Sequence, residues 1–336
     1  MLLTQTVCRT VTLTTPGGVI LALDVLDSEF SQDQASCAIQ KDSGDDPDVT
    51  DGCLVYAHAS LALEGITICG GEGIGLVTKP GLDQPVGAHA INSAPRRHIR
   101  EECESICREH GYSGGLRIVI SIPSGAELAL RTFNPRMGIE GGLSILGTTG
   151  IVEPMSEAAV VETFRAELSL LYEAGRREVL LTIGNHGESF ARDVLRLSME
   201  SHVKCSNFIG ETLSAAAEQG FTRALLIGHI GKMVKLGIGI TNTHSSHGDG
   251  RIETLIACAL EAGAPLSLLH RIRECVSTDA ALELMQKSGV LNETMRLLCV
   301  RVDDTLRRHV AGNMEIGFIC FSGKGDRMAV CFQSGV

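Results

Sequence analysis

Apolar and polar positions are arranged in two different ways along this chain. Near the N-terminus the period is two. Alternation across Val7 to Leu13, a Pro16-Gly17-Gly18 turn and a second run from Val19 to Leu26 predict a hairpin. Further strands are predicted at 35–40, 53–63, 66–69 and 116–122. One helix is predicted from Pro95 to His110, with Pro95 suited to its first turn and Gly111 ending it. From Leu143 onward, strand and helix take turns. Leu143 to Leu146 read as a buried strand, and Gly147, Thr148, Thr149 and Gly150 as the loop from it into a helix. Val160, Phe164, Leu168 and Leu171 share one face of the segment 157–174, which Gly175 stops. Strand 178–183, a helix through Phe190, Val194 and Leu197, strand 202–206, a helix from Glu211 and strand 223–228 continue the alternation. Helices near 279–287 and 292–311 follow, then a hairpin turning at Gly323-Lys324-Gly325-Asp326. The expected class is α/β: an α+β domain over 1–142, then an α/β domain over 143–336 with a mainly parallel sheet and crossover helices.

Bulk properties narrow the function. A length of 336 residues suits about two domains, each with its own core. No run of 18 apolar residues occurs and the N-terminus lacks a basic-then-apolar signal, so a cytoplasmic protein that avoids membranes is expected. The twelve cysteines are scattered without a C-x-x-C pair, which fits a reducing compartment. Cys103 and Cys107 lead to His110 as C-x3-C-x2-H, but they share a helical stripe with Ile99 and Ile106, so core is favoured over a metal or cluster. A net charge of −11, no basic stripe and no Trp argue against nucleic-acid partners. That charge also repels a carboxylate-rich ligand unless local cations override it. The candidates are Lys79, Arg96, Arg97, Arg136, Lys232, Lys235 and Arg251.

Several segments carry candidate chemistry. Gly71, Gly73 and Gly75 spell G-x-G-x-G, yet Leu76-Val77-Thr78 leads to Pro80 and not into a helix, which counts against a dinucleotide fingerprint. A glycine corner that lets backbone approach a large ligand, with Thr78 and Lys79 facing it, competes with an ordinary tight bend. KDSGDDPDVT places Lys41, Asp42, Asp45, Asp46 and Asp48 around a turn, either as a solvated loop or as carboxylates that orient a cation or accept a proton. Its spacing matches no calcium loop. GNHG at 184–187 and GHIGK at 228–232 each follow a predicted strand, at the sheet edge where open α/β sheets bind ligands. There Gly184 and Gly228 allow close approach, Lys232 adds charge and His229 titrates, unless His229 is simply structural. His244 and His247 make an H-x-x-H without a third ligand nearby, a weak metal signal, and His244 reads instead as a polar contact. Phe133, Asn134, Pro135 and Arg136 sit where an extended segment must turn, with Arg136 as a fixed cation.

The stretch FNPRMGIEGGLSILGTTGIVEPMS at 133–156 resembles the cobalt-precorrin-5B methyltransferases of anaerobic cobalamin synthesis, the CbiD family. KDSGDDPDVT, GGEGIGLVTKPGL, SNFIGE, GHIGKMVK and NTHS carry the same resemblance, from about residue 40 to residue 251. It implies a first domain similar to galactokinase-type small-molecule kinases and a second of α/β type. The implied activity is S-adenosylmethionine-dependent methylation of ring carbon C-1 of cobalt-precorrin-5B, giving cobalt-precorrin-6A. Lys79, Arg96, Phe133, Asn134, Arg136, Thr148, Thr149, Lys232 and His244 are the expected substrate contacts. Asp42, Asp45, Gly71, Gly73, Gly184, Asn185 and Gly228 are expected at the methyl donor, and Asp46 and His229 as proton-handling groups. No metal is expected beyond the cobalt of the substrate, and the sequence leaves room for a homo-oligomer. Three departures stand out: the family's usual G-Y-T-T-G-T-C-A-A-like start is not seen ahead of Met1-Leu2-Leu3, Ala88 replaces an acidic residue, and His186 replaces Tyr. The first of these keeps a non-catalytic corrinoid carrier as the alternative. A phosphate-handling enzyme ranks last, for want of G-x-x-x-x-G-K-[ST].

Overall fold

The structure is a computed structural model that describes every residue except 45–47, 153–156, 311, 313, 324–327 and 336. It divides into two compact units, Met1–Glu157 and Ala158–Val336.

In the first unit, β1 (Thr10–Thr14) and β2 (Ile20–Asp24) form the expected antiparallel hairpin. Then come β3 (Leu26–Phe30), β4 (Gln34–Gln40), β5 (Leu54–Ala62), β6 (Ile66–Gly70) and the short β7 (Leu76–Val77). Helix α1 (Ser93–Glu109) leads to β8 (Gly115–Ser121), followed by α2 (Gly125–Ala129), α3 (Asn134–Met137) and β9 (Ile139–Glu140). The main sheet has the order β3-β4-β5-β8-β6, and β6 runs parallel to β8 through the crossover that contains α1. Ile68, Leu116, Ile118 and Ile120 build the core on one sheet face, joined by Ile99, Cys103 and Cys107 of α1. Burial pushes the Cys103 thiol up to about 11, as expected of a packed core cysteine. Leu2 is buried in the same core.

One expectation is corrected here. Leu143 to Leu146 do not open a second sheet: Leu143 bridges Ile74 and Ile145 bridges Ile91, both inside the first unit. A short apolar run reads alike whatever it packs against, so periodicity could not assign its partner. Residues 134–137, where the extended segment was expected to turn, form a helical turn closed by Gly138 in the left-handed region.

The second unit begins with α4 (Glu157–Glu173), then β10 (Glu178–Thr182) and α5 (Gly184–Ser189). The helix expected through Phe190 to Leu197 starts earlier, at Gly184, and ends in a π-helical turn at Phe190–Val194. After β11 (His202–Lys204) come α6 (Ile209–Gln219), β12 (Arg223–His229) and α7 (Ile230–Leu236). Helices α8 (Arg251–Glu261) and α9 (Leu266–Arg273) were not expected; α10 (Thr278–Lys287), α11 (Leu291–Val310) and the hairpin β13 (Glu315–Ser322) and β14 (Ala329–Ser334) were. The hairpin's turn beyond Gly323 lies outside the described residues.

The sheet order is β11-β10-β12-β13-β14, parallel except for the last strand. Leu181, Leu226 and Phe318 from its centre pack with Phe164 of α4 and Leu213 of α6. Phe190 stacks on Phe321, ring centroids 4.0 Å apart, in a smaller cluster of the same unit.

Candidate functional site

Strand β10 is flanked by β11 on one side and β12 on the other, so the chain's winding reverses between β10 and β12. At such a switch point the segments leaving the two carboxyl ends diverge and open a crevice. Gly184, Asn185 and His186 leave β10; Ile230, Gly231 and Lys232 leave β12. Gly184 has φ +65, which glycine adopts without strain, and a Cβ there would stand 3.8 Å from Lys232 Nζ. Gly187 lies so near β12 that a Cβ would meet the Ile227 carbonyl oxygen at 2.8 Å. Gly228 serves packing: its missing side chain makes room for Ile183 and Met233.

Lys232 brings a cation to this edge. Its Nζ donates to Asn207 Oδ1 at 2.7 Å, and Thr243 Oγ1 donates to the same oxygen at 3.1 Å. Burial holds its ammonium below the usual lysine range. The Cys205 thiol, pushed up to about 12 by burial, stays neutral and gives no counter-ion. A half-buried ammonium bound to an amide oxygen keeps N–H capacity for an anion. Lys235 is already committed: it is buried and donates to the carbonyls of Thr243 and Gly248.

His229 closes β12. Its Nδ1 accepts the Gly231 N–H at 3.1 Å, so the neutral ring carries its proton on Nε2, which lies 3.9 Å from Asp279 Oδ1. His186 faces it with ring centroids 6.5 Å apart. Asn185 receives a hydrogen bond from Lys204 at 3.0 Å, and Lys204 pairs with Glu188 at 2.7 Å, which holds that carboxyl below its usual range. The bridge Phe208–Asn242 brings NTHS beside SNFIGE. His244 Nδ1 meets Ser246 Oγ at 2.7 Å, and His247 Nε2 meets Asn242 Nδ2 at 3.2 Å. Among the described residues no three His, Cys, Asp or Glu side chains gather as metal ligands.

A second group forms in the first unit. Gly73 has φ +71, and a Cβ there would fall 1.8 Å from the Ile122 carbonyl oxygen, so only glycine fits. Leu143 N donates to Gly73 O, and Asn134 Nδ2 donates to Gly142 O at 3.0 Å, which clamps α3 beside this corner. Gly71 lies close enough to β8 that a Cβ would meet Val119 at 2.9 Å. The stem of Lys79 lies over Gly138, 2.5 Å from where a Cβ would be. Exposed Phe133 carries the Arg136 guanidinium 5.8 Å from its ring centroid. Lys79, Phe133, Asn134 and Arg136 thus belong to one neighbourhood.

Other expected residues are engaged elsewhere. Arg96 donates to the Ile68 carbonyl at 2.6 Å and to that of Ile91 at 3.3 Å. Arg97 faces Glu101, and Arg251 pairs with Asp249. Thr149 closes on Ile151 through its hydroxyl, and Thr148 is exposed beside it. Asp42 accepts the Gly44 N–H at 2.8 Å in a local turn; Asp45 and Asp46 lie outside the described residues.

Comparison with known proteins now bears on this arrangement. A family model described as CbiD matches residues 1–154, and one described as CbiD, C-terminal domain, matches residues 242–331. The cobalt-precorrin-5B C(1)-methyltransferase of Ruminiclostridium cellulolyticum is 43% identical over 290 residues, covering 86% of this chain and 76% of that protein. The protein of the same name from Alkaliphilus metalliredigens is 40% identical over 336 residues, 100% of this chain and 88% of that one. The chain belongs to the CbiD family. A crystal structure of the cobalamin biosynthesis protein cbiD from Archaeoglobus fulgidus is 22% identical, covering 85% of this chain and 77% of that one, at a TM-score of 0.36. That likeness is too slight to carry an argument about the fold.

Within the CbiD chain, the segments quoted for the resemblance, KDSGDDPDVT apart, contribute to the two places just described. GHIGK, SNFIGE and NTHS meet at the carboxyl edge of the second sheet; GGEGIG and FNPR meet at the glycine corner of the first unit. Two residues escaped the sequence reading. Asn207 sits inside a quoted segment directly after a strand, so the edge rule alone could have found it. Asp279 starts a helix fifty residues beyond His229, and nothing in the sequence links the two.

Proposed function

We propose that this protein methylates C-1 of cobalt-precorrin-5B to give cobalt-precorrin-6A, using S-adenosylmethionine, in the cytoplasmic synthesis of cobalamin. The observation that carries this reading is the name shared by relatives 40–44% identical over 86–100% of the chain. No relative among these supports a carrier role. A galactokinase-like first unit is part of the same reading. Among the described residues no helix is long and apolar enough to cross a membrane.

The donor, when bound, supplies an electrophilic methyl: its carbon–sulfur bond breaks with the pair on sulfur, C-1 bonds to the methyl through ring π electrons, and the macrocycle sheds one proton. The residues present fit such a reaction. Lys232, half-buried and bound to an amide, holds a peripheral carboxylate; Arg136 and Lys79, within the first unit, are cations of the kind that pairs with one. Holding the two carbons in line can itself lower a barrier by roughly 7–11 kcal/mol in favourable cases. His229 takes up the departing proton through Nδ1 as its bond to Gly231 opens, and Asp279 beside Nε2 stabilises the imidazolium.

The test is incubation of purified protein with cobalt-precorrin-5B and methyl-labelled donor. Label in the macrocycle is the expected result. A folded protein that binds the corrinoid but transfers no label would overturn the proposal.

A further inference from the structure

Beside the switch point lies a groove of about 800 Å³ that no sequence motif marks. Cavities of roughly 300–1,000 Å³ hold small organic ligands. One stripe of α10 forms its wall: Asp279, Leu282, Glu283, Gln286 and Lys287, at the helical spacing that puts side chains on one face. The opposite wall comes from the first turns of α11, including Met295, and from the β13–β14 hairpin at Ser322 and Cys331. Asp279 belongs to both the groove and the His229 pair, so the groove opens onto the carboxyl edge within the same unit.

We propose that this groove binds the adenosyl-sulfonium methyl donor. The inference rests on the methyltransferase reading above and adds the location of the donor. Charge sorts the two ligands. The donor carries a sulfonium and an ammonium against one carboxylate, whereas the corrinoid is a polyanion. Asp279 and Glu283 attract the first and repel the second, while Lys232 at the edge does the reverse. The lining also has matching chemistry: Asp279 for the sulfonium, Glu283 for the ribose hydroxyls, and Leu282 on α10 with Met295 on the opposite wall as apolar surface for a purine. From Asp279 to Lys287 the helix rises about 12 Å, enough to carry the adenosyl arm from the donor sulfur to the far edge of its purine. Donor sulfur placed at the Asp279 end faces the edge where the substrate is held.

Calorimetric titration of the full chain tests this, with S-adenosylmethionine and S-adenosylhomocysteine measured in parallel, with and without corrinoid. The two ligands differ in the sulfonium charge. Asp279→Asn combined with Glu283→Gln is expected to weaken the sulfonium ligand about tenfold or more. The uncharged thioether product should lose less. Gln286→Trp, on an exposed position of the stripe, should block both ligands while leaving corrinoid affinity and the melting temperature in place. If the unaltered chain binds the donor and all these variants bind it within about twofold, the groove is overturned while the methyltransferase reading stands. If the unaltered chain binds neither ligand even with corrinoid present, both readings fall.

Discussion

Replacing Lys232 with Met separates a functional lysine from a structural one. Methionine keeps most of the unbranched stem and removes the ammonium. The protein loses the hydrogen bond to Asn207 Oδ1, but that oxygen keeps Thr243 Oγ1 at 3.1 Å. It also sheds a cation that burial already disfavours. A charged hydrogen bond of about 1.5–3 kcal/mol is thus set against relieved desolvation, and the net change in stability should lie within about 1 kcal/mol. For a unit of this size that is a melting shift of no more than about 2–4 °C, in either direction. Binding has no such compensation. Loss of the charged contact to a substrate carboxylate costs about 1.5–3 kcal/mol, or roughly 10- to 150-fold in Kd. Calorimetry with the cobalt-corrinoid and thermal unfolding of the same preparations read the two effects separately. Unchanged corrinoid affinity together with a large drop in melting temperature would refute the reasoning and make Lys232 a packing residue.

Three further outcomes are expected. Arg136→Ala should raise the corrinoid Kd about tenfold or more and leave donor-product affinity unchanged, as calorimetry would show; the reverse order would remove Arg136 from the substrate site. Gly73→Ala should destabilise the first unit by about 2–5 kcal/mol in urea unfolding, since the Cβ meets Ile122 O at 1.8 Å and φ is +71; a shift under about 1 kcal/mol would show that the corner relaxes. Burial lowers the pKa of His202 from 6.5, so the unfolded chain binds the extra proton first. Stability should therefore hold above about pH 7 and fall as pH drops through 6.5 towards the folded-state pKa, and His202→Gln should flatten that slope. An unchanged slope would assign the acid sensitivity to other groups.

The parallel sheet was legible because β10 and β12 are continuous apolar runs, and each is followed by Gly within a residue or two. Its carboxyl edge was legible for the same reason, so Gly184, His229 and Lys232 could be placed together before any coordinates. Helices α8 and α9 were not, because α8 follows a Ser/Gly-rich loop that obscures its start. The role of Arg96 was hidden too: its carbonyl partners, Ile68 and Ile91, belong to separate segments. The groove along α10 depends on a helix, a second helix and a hairpin converging, which periodicity within any one of them cannot report.

One of the two parallel neighbours of β12 is β13, and the described residues between them are helical or irregular chain. On the ribosome, therefore, β12 and the edge it carries wait for β13 to emerge before their hydrogen-bond ladder is complete. Until then Leu226 and Ile227, buried in the finished sheet, lie beside an open strand edge, the condition under which nascent chains aggregate or recruit chaperones. A nonsense codon shortly before Glu315 would leave Lys232, Asn207 and His229 in the sequence and yet deny them the surface on which they meet. Late frameshifts in such a gene should thus be as damaging as early ones, with the loss visible first as insoluble protein.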